Sequence, residues 1–101
     1  MPVTHAAVPA NEAERLAALK RYQILDTPPE PAFDDLAVLA AEICGTSIAL
    51  VSLIDADRQW FKARVGVATC ETARDISFCS HAILEPDLLI VPDTRLDPRF
   101  A

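Results

Sequence analysis

The sequence predicts an α+β fold centred on an antiparallel β-hairpin, and three observations carry that expectation. Ile48 to Ile54 is a nearly unbroken apolar run, rich in β-branched residues and bounded by polar ones, which is the pattern of a strand buried on both faces. Asp55, Ala56, Asp57 and Arg58 follow with turn chemistry, because Asp side chains hydrogen-bond nearby backbone N–H groups. From Gln59 onward, Phe61, Ala63 and Val65 alternate with Trp60, Lys62 and Arg64. That period of two belongs to a strand with one face on the core and one toward water or a covering segment. With helices before and after the hairpin, the order is α+β rather than a repeating βαβ.

The elements can be justified in chain order. Residues 1–10 carry two prolines and several alanines with little to bury, and read as a flexible lead. Asn11 and Glu14 have the spacing of a capping box, and Leu16, Leu19 and Tyr22 then recur at helical spacing. Pro28 and Pro29 end that helix, since a proline disfavours helical geometry in the residue before it. Thr27 with Glu30 suggests a second box, with Pro28 at the tolerated first helical position. Phe33, Leu36, Ala37, Ala40, Ile43 and Cys44 share one helical face, and Val38, Leu39 and Ala41 widen it. A stripe that wide predicts packing on more than one side. Gly45 is placed to cap this helix, and the hairpin follows at once.

Beyond Gly66 the pattern weakens. Residues 67–76 read as a loop crossing the mouth of the sheet, and Ser77 as the N-cap of a short helix over SFCSHAIL. Leu88 to Val91 reads as another short strand, ended by Pro92 and Asp93. A central strand needs a neighbour on each side, and Leu88 to Val91 is too short to cover Ile48 to Ile54. The expectation is therefore an incomplete sheet.

The totals exclude several classes. A hydrophobic fraction of 51% rules out a disordered tail. The net charge of −6, with nine scattered Lys and Arg, argues against nucleic acid or an anionic membrane as partner. No apolar run approaches the roughly 20 residues of a spanning helix, and the N-terminus lacks the pattern of a signal peptide. Three irregularly spaced cysteines then read as reduced thiols in a cytoplasmic protein.

Several separated stretches, ILDT, DADRQWFK, SFCSHAI and DPRF, occur in one order from about Asn11 to the end. In that order the chain resembles the N-terminal two-thirds of a bacterial GAF domain, of the type found at the front of sensor histidine kinases and diguanylate cyclases. The resemblance implies a partial GAF domain over 11–101, with a central antiparallel sheet, helices packed on one face, and a small-molecule pocket roofed by loops. It also implies closing strands and a final helix after DPRF, with the last strand beside the first, and an output signalling domain in the parent protein.

Within that frame the expected function is a non-catalytic sensory module of a signal-transduction protein, with no catalytic residue, no metal and no cofactor. Its ligand-binding candidates are Trp60, Phe78, Cys79, His81 and Asp93. Each has a plainer reading. Cys79 suits a small buried hydrophobe better than a thioether or redox site, because unpaired cysteine is among the most often buried residue types. Ser80 separates Cys79 from His81, whereas bilin-binding GAF domains have the two adjacent, which counts against a chromophore. Asp93, Arg95, Asp97 and Arg99 form an alternating charge run that either binds an anion or, as favoured here, caps turns. Trp60 is covered by the first helix or lines a pocket. A different class of function is a thiol redox enzyme of the free methionine sulfoxide reductase type, using Cys79 with Cys70. A third is a homodimer formed through the Leu16, Leu19 and Tyr22 face of the first helix.

Overall fold

The computed structural model describes residues 7–100; the part of the predicted lead that falls on residues 1–6 lies outside the described residues. It is a small α+β fold with a three-stranded antiparallel sheet and three helices. Two helices come first, α1 (Glu12–Tyr22) and α2 (Pro31–Cys44), then the hairpin strands β1 (Ala49–Ile54) and β2 (Arg58–Val65). A short strand β3 (Glu71–Ala73) and a five-residue helix α3 (Phe78–Ala82) follow.

The helix ends show which local signals prevailed. Asn11 makes no side-chain capping bond, so the first capping box does not form. Its neighbour Glu12 instead faces the cations Arg15 and Arg74. The helix stops at Tyr22, where Gln23 turns left-handed at φ 51°. The second helix starts three residues later than the predicted box, at Pro31, with Glu30 extended before it at φ −129°. The rule that proline suits the first helical position holds, but the proline that uses it is Pro31. Gly45 caps α2 in the left-handed conformation, and the Ser77 hydroxyl accepts the Ser80 N–H to open α3.

The sheet order among the described residues is β1-β2-β3, so Ile48 to Ile54 has its hairpin mate on one side and no neighbouring strand on the other. β1 is half-buried along most of its length, whereas Gln59 to Ala63 of β2 are all buried. The reason is topological. β2 has a strand on each side, and α2 packs across β1 and β2, whereas β1 has one neighbouring strand among the described residues. An apolar run reports that a strand can be covered on both faces; it does not say which strand is flanked. The residues 67–76, read as a loop, contain β3, whose three residues are too few to show a period. Leu88 to Val91 is not a strand, and Leu88 and Ile90 are 81% and 74% exposed. Four apolar residues make a strand only where an edge is offered to them.

A bulge in β2 explains the failed alternation. Val51 pairs with Ala63 and Ser52 with Phe61, so Lys62 is the extra residue. Such an insertion leaves Lys62 unpaired in the ladder and re-aims the side chains around it. α2, expected to be packed on several sides, buries only Ala37 fully and leaves Leu36, Val38, Leu39 and Ile43 exposed. Its apolar stripe is wider than the sheet surface it covers.

Candidate functional site

Two regions hold the chemistry-bearing side chains. The first is the surface of β2 beneath the connector 23–30. Arg58, at the start of the strand, donates both terminal nitrogens to Asp26 at 2.8 and 2.7 Å. It also reaches Asp55 at 3.2 Å and Glu71 at 3.3 Å. The bidentate pairing holds the Asp26 carboxyl below the usual carboxylate range and makes the Arg58 guanidinium still harder to deprotonate.

Four positions on, the Lys62 side chain is fully buried, and its ammonium has three oxygen partners. It donates to Thr27 Oγ1 and the Pro28 carbonyl at 2.7 Å each and pairs with Glu30 Oε2 at 2.6 Å. The Phe33 ring lies 5.6 Å from it. An ammonium carries three protons, so every donor has an acceptor and the burial is compensated. Between the two cations along the strand sits Trp60, 7% exposed, in a cleft of about 370 Å3 walled by the connector and by Cys70.

The second region surrounds α3. Phe78 and His81 both face Phe100, with ring centroids 4.2 and 5.0 Å away and the His81 contact edge-on. Asp97 is held by Arg99, through the guanidinium at 2.7 Å and the backbone N–H at 2.9 Å. Arg99 is the main cause that brings the Asp97 carboxyl down to about 2, with His81 adding a smaller pull. Asp93 makes the same closed ring with Arg95, which also lowers its carboxyl. Behind α3, the buried Arg74 and Ser80 line an open cleft of about 290 Å3 with Asp57 and Asp75.

The five sequence candidates therefore divide. Phe78 and His81 share Phe100; Trp60 lies in the other region, beside Cys70. Asp93 is occupied by its own Arg95, the turn-capping reading of the charge run. Cys79 is half-buried on α3, and Cys44, Cys70 and Cys79 are all free thiols. Among the described residues no group of three or more His, Cys, Asp and Glu is placed to hold a metal ion. No described helix is long and apolar enough to cross a membrane.

Sequence reasoning missed the cations that organise both regions. Lys62 stands on the face read as turned to water or a covering segment, Arg58 in the stretch read as turn, and Arg74 in a segment read as loop. The one available signal was the count of carboxylates and hydroxyls in DTPPE, since a connector rich in acceptors calls for donors beneath it.

No family model matches this chain. Over 92 residues, 91% of the chain, it is 37% identical to cyclic di-GMP phosphodiesterase PA2567 of Pseudomonas aeruginosa. The chain is thus related to a bacterial signalling protein. It spans 16% of that relative's length. The finding corrects the expectation that this is no enzyme, because the relative is named for a catalytic activity. Composition and spacing in a stretch this short carry no trace of chemistry done elsewhere in such a protein.

Proposed function

We propose that this chain is a sensory and regulatory module of the GAF type within a protein that turns over cyclic di-GMP. The observation that carries the reading is the 37% identity across nearly the whole chain to a phosphodiesterase of which it spans 16%. About one hundred residues is the size of a single domain, which suits one unit of a longer signalling enzyme. The antiparallel sheet and its helices agree with the resemblance carried by ILDT, DADRQWFK, SFCSHAI and DPRF.

In this reading a small ligand or a partner surface shifts the packing around the sheet, and the shift passes through the helices to the output part of the protein. One place open to such a ligand is the Trp60 cleft, and Phe78 on α3 exposes about half its surface beside the buried His81. Tyr22, 80% exposed at the end of α1, gives a second copy a surface to meet.

Cyclic di-GMP hydrolysis by the full-length protein tests the reading, with the intact chain compared against a version lacking residues 12–100. Hydrolysis should persist in both, with rates differing by about fivefold or more. Equal rates in the two would overturn the regulatory role, and an intact protein that leaves cyclic di-GMP untouched would overturn its assignment to cyclic di-GMP turnover.

A further inference from the structure

The connector 23–30 is fastened to β2 at two points, and the two fastenings are unequal. At the outer point the Asp26 carboxylate is 66% exposed while it holds Arg58, so the pair is open to solvent and to screening by salt. At the inner point Lys62 is buried and saturated by Thr27, Pro28 and Glu30. Letting go there would strand an ammonium away from water, which costs far more than parting an exposed ion pair.

Backbone geometry places the yielding point at the same end. Gln23 and Asp26 both have positive φ, 51° and 60°, a region that residues with a Cβ rarely adopt. These two residues form the joint between α1 and the connector. At its other end α1 is tied down independently, because Glu12 pairs with Arg74 and Arg15 donates to the Ile54 carbonyl.

We infer that residues 23–30 are a strap over Trp60 that opens at its Asp26 end while Lys62 keeps the Thr27–Glu30 end closed. Opening lifts Asp26 from the rim of the Trp60 cleft while Thr27 and Pro29 stay against it, and it releases the last turn of α1 while the first turn stays docked. The Arg58–Asp26 pair therefore sets both access to the Trp60 cleft and the orientation of α1.

Trp60 is the only tryptophan of the chain, so its fluorescence reports on the strap directly. Acrylamide quenching is measured on the 101-residue chain and on the Asp26→Asn and Glu71→Gln variants. Asn tolerates positive φ as Asp does, so the first variant removes only the charge. Glu71→Gln removes an Arg58 partner that is not part of the strap. Quenching should rise about twofold in Asp26→Asn, the population change expected from an exposed ion pair, and stay at the wild-type value in Glu71→Gln. Salt at about 1 M should raise it in the wild type and leave Asp26→Asn unchanged. Unchanged quenching in Asp26→Asn, or an equal rise in both variants, would overturn the inference. So would a rise accompanied by a fall in melting temperature well beyond the few degrees that loss of one exposed ion pair costs, which would signal loosening of the whole fold instead.

Discussion

Arg74 and Glu12 stand 62 positions apart, and their ion pair joins the start of α1 to the residue that follows β3. Arg74 also donates to the carbonyls of Asp55 and Ala56, at 3.1 and 3.2 Å, so one guanidinium closes three segments. Glu12 accepts from Arg15 as well, and these two cations bring its carboxyl from 4.5 down to about 2.

That shift makes stability depend on acid. A carboxyl whose folded pKa is depressed stabilises the fold above its unfolded pKa, and that contribution disappears as pH falls through the folded one. Glu12 should thus contribute fully above about pH 5 and lose its contribution between about 4.5 and 2. With its side chain 17% exposed, the contribution is on the order of 2 kcal/mol after solvent screening. Glu12→Gln should lower stability at pH 7 by that amount and flatten the acid limb of a urea-denaturation series. Part of the limb should survive, because Asp97 titrates in the same direction and range.

Lys62→Met should destabilise by about 1–3 kcal/mol, as expected when Thr27 and Pro28 lose a buried donor. Glu30 is 56% exposed and rehydrates, so the loss falls short of that of an isolated buried charge. Chemical denaturation at neutral pH measures it.

Gly66 has φ 78°, and a Cβ there would sit 2.1 Å from the Ser47 carbonyl oxygen. Gly66→Ala should cost well over 1 kcal/mol, from left-handed strain plus displacement of backbone. A fall in melting temperature of roughly 4 °C or more would show it.

The edge-on contact between His81 and Phe100 should displace the imidazole proton resonances from their usual positions. Phe100→Leu should return them, as read by NMR.

These residues also show how far the sequence was legible. The hairpin, Gly45 and Ser77 were readable because each signal is local: a period, a turn composition, a cap. The placing of β2 at the centre was not readable, because it depends on β3, a three-residue strand with no period of its own. The burial of Trp60 and Lys62 was half readable, because the alternation left their face to water or a covering segment without pointing to the connector 23–30. Site residues were partly legible: Phe78 and His81 do meet, but through Phe100, which lies in the DPRF stretch and was not among the candidates. The roles of Lys62, Arg58 and Arg74 were not legible because partners of each come from segments far along the chain.

Amide hydrogen exchange tests the centre of the account, that among the described residues β2 has a strand on each side and β1 on one. The Phe61 N–H donates to the Cys70 carbonyl at 2.9 Å on the β3 side. The Ile54 carbonyl faces away from β2 and is taken by Arg15, and the two-residue period turns the Ser52 N–H the same way. Phe61 should exchange slowly, near the rate of global unfolding, and Ser52 faster by at least about tenfold. Ser52 protected as strongly as Phe61, or more so, would contradict the sheet order and the site built on it.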